Sequence, residues 1–337
     1  MKYKTTDTLS PDQYQAMEQK YQNAFLTQVS LHEKYDVYGL KIHFFCAYSE
    51  HNELEDVIAF YIKGRYVVVV NWLVEISPDL SDAFEKEVFA QFSGVKCVIW
   101  QKSLNSIDSP HSFSYVENAD MCVLLPSTRE EYNEQLSSNS RKIYVKKTHR
   151  VERDLDEMVV NQPADESNVY LVDILAQWKQ VQLQQRGEKS KVDAHFIKQS
   201  LLRMGYVSYI MAKGQPICIC LFYKVGTHIY FEQTAYDENY SRYYSPGRVL
   251  TYQSILQFID QGATHFHFLW KGTDYKKHYS ATEVPVYTTY TFRSKSYLFY
   301  QDFLKKKFRL LLRRFAHTTC GQTLRQWLNK TFHGRAV

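Results

Sequence analysis

The sequence predicts a mixed α/β protein of two lobes followed by a short basic tail. Three observations carry this reading. Hydrophobic spacing switches repeatedly between the two-residue period of strands and the three-to-four-residue period of helices. The chain has 337 residues, 45% of them hydrophobic, which suits about two cores at the usual domain size. Near the middle, Met158 to Asn168 is polar, holds one proline and has no period, which makes it the best linker. The expected division is residues 1–157, 158–300 and 301–337.

In the first lobe, Ser10-Pro11-Asp12 opens a helix, with Tyr14, Met17, Tyr21, Phe25 and Val29 at helical spacing. Ile42 to Tyr48, Val57 to Ile62 and Tyr66 to Val74 read as strands, the last two joined by a hairpin through Lys63-Gly64-Arg65. Ser81 to Phe92 is an amphipathic helix. Val95 to Trp100 and Met121 to Leu125 are buried strands. Ser127 to Leu155 is helical and charged, opened by a Ser127-x-x-Glu130 capping box and broken near Ser137 to Ser140. Beyond the break, Arg141, Lys142, Lys146, Lys147, Arg150 and Arg153 surround an apolar stripe. They form either a solvated face or a positive wall beside an anionic substrate.

The second lobe opens with helices at Tyr170 to Gln185 and Ala194 to Met204. A hairpin follows, Tyr206 to Lys213 and Pro216 to Lys224. Cys218 and Cys220 alternate on one strand face and read as buried thiols, since a metal would need two more ligands. Then comes the most informative stretch. A strand, Thr227 to Tyr236, leads through a Tyr-rich loop to Ser245-Pro246-Gly247. A helix runs from Arg248 to Asp260 and stops at Gln261-Gly262. A short aromatic strand, Thr264 to Trp270, precedes Tyr275-Lys276, and Val284 to Phe292 is a last strand. A helix start offers unpaired N–H groups and the positive dipole end, so it suits a pyrophosphate. Pro246 is harmless in a first turn, Gly247 permits close approach, and Arg242 and Arg248 add charge. The same residues also describe a capped helix with solvated arginines.

That ordered set resembles the acyl-CoA-binding half of a GNAT-fold acyltransferase, and within it the CelD-like group related to the FemAB peptidyltransferases. The resemblance rests on Tyr244-Ser245-Pro246-Gly247 and on His267-Phe268-Leu269 placed eight residues before Tyr275-Lys276. Relatives carry Asp-Phe-Leu, a Gly, then Tyr-Lys; here His267 replaces the Asp and the Gly falls one place later, at Gly272. The resemblance implies a GNAT fold of mixed, mostly antiparallel sheet flanked by helices. It implies two tandem lobes, the first a degenerate copy lacking the phosphate-cradling pattern. It implies acyl-CoA as donor, with Arg242, Ser245, Gly247, Arg248 and Lys276 toward its phosphates. The acceptor would be an amine or hydroxyl of a polysaccharide or cell-envelope precursor, a nucleotide- or lipid-linked sugar in bacteria. The FemAB relationship leaves open an aminoacyl group taken from aminoacyl-tRNA, which would make tRNA a partner. A non-catalytic GNAT-like scaffold is the third reading.

Acyl transfer needs a base for the attacking group and an acid for the departing thiolate. Glu232 is the first base candidate, the one acid inside an aromatic strand, unless it lies on the solvent face. Tyr275 is the candidate acid or positioning residue, unless it is core. His267 is the second base candidate. His265 and His267 share a strand face as a relay, a metal pair or, more commonly, a packed hydrogen-bonded pair, and no metal is expected. No nucleophile elbow, Walker loop, Rossmann fingerprint or zinc-protease motif occurs in the sequence.

Net charge is +5, too small to imply DNA binding. It is uneven: from Gln301 to Val337 nine Lys/Arg face one Asp, so the tail carries +8 and the rest −3. Phe303, Leu304, Phe308, Leu311, Leu312 and Phe315 form a stripe there beside dense Lys/Arg, which either completes a core or docks on an anionic membrane. Six scattered cysteines point to a reducing compartment. With no apolar leader and no membrane span legible, the expectation is a cytoplasmic protein, peripheral to the inner membrane if the tail docks.

Overall fold

A computed structural model describes residues 1–37, 39–185, 192–270 and 273–294. Gly272 and the whole of the basic tail from Gln301 to Val337 lie outside the described residues. The elements are β1 (Lys2–Thr6), α1 (Pro11–Tyr21), α2 (Gln28–Val37), β2 (Ile42–Tyr48), β3 (Leu54–Lys63), β4 (Tyr66–Val69), α3 (Pro78–Gln91), β5 (Cys97–Ser103) and β6 (Ser112–Leu124). The chain continues with α4 (Arg129–Gln135), α5 (Ser138–Asp154), β7 (Glu157–Pro163), α6 (Leu171–Gln185), α7 (Ala194–Met204), β8 (Gly205–Ala212), β9 (Gln215–Val225) and β10 (His228–Tyr236). It ends with α8 (Ser241–Tyr244), α9 (Pro246–Asp260), β11 (His265–His267), α10 (Thr273–Lys277) and β12 (Thr282–Phe292).

The strands form one twelve-stranded sheet in the order β1-β2-β3-β4-β5-β12-β6-β11-β10-β9-β8-β7. Among the described residues two neighbouring pairs run parallel, β4 with β5 and β10 with β11. Each parallel pair is bridged by one long helix, α3 or α9, as a parallel connection requires. Each half of the chain thus repeats the same parallel unit, and the halves are interlocked at the centre. β6, from the first half, pairs with β11 of the second; β12, from the second, pairs with β5 of the first. β6 and β12 then pair with each other from Thr282↔Cys122 to Thr291↔Ser112.

Three cores fill the molecule. One lies in the first half around Phe44, Phe60, Phe84 and Trp100. A second packs α4, α5 and α9 on one face of the second half around Phe222, Phe258 and Phe266. The third covers the opposite face with α6 and α7 and includes Ala24 and Leu73 from the first half. In the second core, Tyr144 stacks on Tyr252 at 4.7 Å and on Tyr279 at 5.3 Å, which ties α5 to α9 and to the turn after α10.

Several sequence expectations are corrected. Met158 to Asn168 is not a linker: residues 157–163 form edge strand β7, paired with β8. Its polarity misleads because Asn161 is buried: its side chain donates to the carbonyl of Ser254 and accepts from the Ser208 hydroxyl, and its backbone N–H donates to that same hydroxyl. The strand from Tyr66 ends at Val69, since the Asn71 side chain turns inward and bonds Ala59 N and Val57 O in place of a ladder. The capping residue of α4 is Thr128, bonding Glu131 N, one place after the expected Ser127. The aromatic strand at Thr264 shrinks to His265–His267. No described helix is long and apolar enough to cross a membrane.

Candidate active site

The site is built where β10 and β11 part. They pair only from His228↔His265 to Tyr230↔His267. Beyond that, β10 carries a bulge: Phe231 faces Phe222 and Gln233 faces Leu221 on β9, leaving Glu232 as the extra residue. A bulge bends its strand and leaves backbone groups off the ladder. β11 ends because Leu269 turns to φ 57° and the Lys276 ammonium collects the carbonyls of Phe268 (2.8 Å), Leu269 (2.8 Å) and Trp270 (3.4 Å). Among the described residues no backbone bond crosses from 231–236 to 268–270, so the strands splay into a wedge. Lys276 is 2% exposed, and burial pulls its pKa down to about 8.

Glu232 lies on one face of this wedge. It lines a cavity of about 110 Å³ with Phe25, Trp72, Tyr223, Tyr230 and Leu269. Phe25 and Trp72 come from the first half, so this cavity spans both halves of the chain. Beside it, the Lys102 ammonium lies 3.8 Å from the Trp72 ring centre and 3.9 Å from that of Trp270. Tyr275 lies on the opposite face, 38% exposed, edge-on to Phe268 and near Tyr279, which belongs to the second core. Its phenol is pushed up to about 12 by burial, so it holds its proton at neutral pH. The two candidates therefore flank the splay from either side of the sheet.

The donor-side candidates sit at the start of α9. Ser245 takes the left-handed conformation, φ 52°, and its side chain makes no cap. Such backbone is uncommon for a residue other than glycine and clusters at functional sites. A Cβ on Gly247 would meet the Tyr236 ring at 3.3 Å and Thr234 Oγ1 at 3.6 Å, which places this helix start against the end of β10. Arg242 and Arg248 are exposed. Sequence reasoning did not foresee that α5 supplies its basic face to the same loop. Lys147 donates to the Tyr243 carbonyl, and Arg150 lies 4.4 Å over the Tyr243 ring. Burial lowers the pKa of Lys147, with the charges of Arg150, Lys146 and Arg248 acting in the same sense. The run of basic residues in α5 was the signal; its destination was not legible.

His267 sits apart from the cavity. It is 9% exposed and stacks flat on Tyr230 at 4.6 Å. Its Nδ1 is 2.6 Å from Oδ2 of Asp120, and its Nε2 is 3.2 Å from Nδ1 of His228. His265 stacks on His228 at 4.1 Å, and burial, then the neighbouring imidazoles, pull His228 down to about 3. Asp120 had no sequence signal, because it reaches His267 only through the β6–β11 exchange.

Residues 138–277, from α5 through α10, match a family model described as Acetyltransferase (GNAT) domain. No curated protein matches the sequence. Among solved structures, the chain is similar to FemX, with a TM-score of 0.62 at 8% identity, covering 86% of this chain and 97% of that one. It is similar to a conserved protein of unknown function from Bacteroides thetaiotaomicron, with a TM-score of 0.59 at 11% identity, covering 86% and 99%. It is also similar to the C-terminal domain of a putative lysylphosphatidylglycerol synthetase from Agrobacterium fabrum, with a TM-score of 0.54 at 13% identity, covering 83% and 91%. At these identities the solved structures speak for the fold, and they extend it over most of the chain. The chain carries an acyltransferase domain of the GNAT type.

Proposed function

We propose that the protein transfers an acyl group from acyl-CoA to an amine or hydroxyl of a polysaccharide or cell-envelope precursor, as its CelD-like motifs imply. The carrying observation is the uncapped start of α9, set beside the end of β10 and flanked by Lys147, Arg150 and Arg248. A doubly charged pyrophosphate satisfies the free N–H of Gly247 and relieves the repulsion among those cations. The pantetheine arm then follows β10 into the wedge, where strands no longer bond each other and can bond its amides. The acceptor enters from the opposite face, through the cavity shared by both halves. Glu232 takes its proton as it attacks the thioester carbon. The carbonyl oxygen is met by backbone freed at the bulge, and Tyr275 protonates the departing thiolate. Glu232 is preferred to His267 as base because it lines the cavity, whereas His267 is covered by Tyr230.

An aminoacyl-tRNA donor is the second reading, since the same basic face of α5 suits a nucleic-acid backbone. One experiment separates the readings. The full chain is incubated with a panel of acyl-CoAs, with aminoacyl-tRNAs and with cell-envelope precursors, and products are followed by mass spectrometry. The expected result is an acyl mass added to a precursor with release of free CoA. Product from aminoacyl-tRNA alone transfers the assignment to the second reading, and product from neither leaves a scaffold.

A further inference from the structure

The most unusual cluster outside the wedge lies at the seam where the halves exchange strands. Asp120 and Cys122 share one face of β6, and His267 lies opposite Cys122 on β11. The carboxylate, thiol and imidazole bring one donor atom each within 4.8 Å of one another. All three are buried, at 2%, 5% and 9% exposure. Asp120 Oδ2 is met by His267 Nδ1 at 2.6 Å, but Oδ1 is buried with no hydrogen-bond partner. An ionised carboxylate with one oxygen unmet in an apolar core is costly, so the hydrogen-bonded pair alone does not account for this arrangement.

We propose that Asp120, Cys122 and His267 form a site for a zinc-class divalent ion that links the first half of the chain to the second. The donor set is one such ions take, combining a carboxylate oxygen, a sulfur and an imidazole nitrogen. The geometry around His267 completes the case. With the ion on Nδ1, the proton moves to Nε2, which faces His228 Nδ1 at 3.2 Å and donates to it. A metal-bound imidazole is almost always held by such an outer hydrogen bond. Tetrahedral ligands lie about 3.3–3.6 Å apart, so loading widens the Asp120–His267 contact slightly. The proton shared by Asp120 and His267 is the one taken up at Nε2, so only the Cys122 thiol proton leaves to solvent as the ion enters. The Lys276 ammonium lies near enough for its charge to act on Asp120, but its hydrogen bonds go to three carbonyls and leave Asp120 Oδ1 unmet. Tyr230 covers His267 on the cavity side, so the ion braces the seam and does not meet the acceptor.

The test uses the full chain, stripped with chelator and reloaded with Zn²⁺ or Co²⁺. Expected are one retained ion per chain after gel filtration, a higher Tm with zinc, and a near-ultraviolet thiolate-to-cobalt band. Cys122→Ser should abolish that band while circular dichroism stays native. Asp120→Asn should weaken zinc binding more than tenfold, and His228→Ala by about tenfold with stoichiometry kept. If Cys122→Ser does not fold, the Asp120→Asn and His228→Ala titrations decide. Failure of the full chain to retain either ion overturns the proposal, and so does a cobalt band that survives Cys122→Ser. In either case the cluster is a buried Asp–His hydrogen bond only.

Discussion

The two halves use the same parallel unit, and they finish it in opposite ways. In the first half, α3 begins at Ser77, whose side chain accepts from Leu80 N, with Asp79 in the first turn. Its helix dipole is already answered. The strands on either side are also laced beyond their pairing, by Leu73 N to Lys102 O at 2.8 Å and Leu104 N to Val74 O at 3.0 Å. In the second half, α9 begins at a left-handed Ser245 without a side-chain cap and with basic residues around it. Its strands part at the Glu232 bulge and are held apart by Lys276. One architecture therefore gives a closed, acidic helix start in one copy and an open, basic one in the other. Capping and lacing set the two helix starts apart, and under the proposed function the open one takes the anionic donor.

The largest expected effect is on chemistry in the open half. Glu232→Gln should lower kcat by roughly 10²–10⁴ with CoA affinity retained, measured by steady-state kinetics and calorimetry. A variant at the wild-type rate removes Glu232 as base and turns attention to His267.

Next is the open helix start itself. Gly247→Asp sets a negative charge where the pyrophosphate is placed and should abolish CoA binding in calorimetry. Because any Cβ there meets Tyr236 at 3.3 Å, Gly247→Ala is the companion variant and should still bind. Unchanged affinity in a folded Gly247→Asp protein takes the donor away from α9.

The wedge can be challenged through Lys276. Lys276→Met strands three carbonyls and should cost about 2 kcal/mol in denaturant unfolding. The pH dependence has a definite sign. With its folded pKa at about 8, below the ordinary 10.5, the unfolded chain binds more protons between those values. Wild-type stability from this group therefore rises with pH from about 8 to 10.5, and Lys276→Met should lack that rise. Parallel profiles for the two proteins show the ammonium is not the group responsible.

Smaller still is the basic wall. Lys147→Ala with Arg150→Ala should weaken CoA binding roughly tenfold and flatten its salt dependence. An unaltered salt slope makes the α5 face merely solvated. The least effect belongs to the closed half: Ser77→Ala should cost about 1 kcal/mol of stability and leave CoA affinity untouched. Any loss of CoA binding in that variant would break the contrast between the halves.

Much of the architecture was legible in the chain because it is local. The helix and strand periods located most elements, and Ser10 opens its helix where the sequence implied, in a capping box with Gln13 N at 3.3 Å and Gln13 Oε1 accepting from Ser10 N at 2.9 Å. Where reading failed, a buried polar side chain had replaced an expected pattern. Asn161 made an edge strand look like a linker, and Asn71 ended a strand that the apolar run continued.

What the sequence determined by itself was the kind of unit present and which loop opens α9. Ser245-Pro246-Gly247, Glu232 and Tyr275-Lys276 are close enough along the chain for a strand, a helix and a turn to position them. What only the tertiary structure decided was who meets whom across the exchanged strands. Asp120 and Cys122 reach His267, and Trp72 and Phe25 join Glu232, over separations of more than 140 residues. Local periodicity sets which face a side chain takes. It contains no term for which strand, out of twelve, will lie alongside. That choice is made by burial of both sheet faces at once, and it is a property of the whole chain.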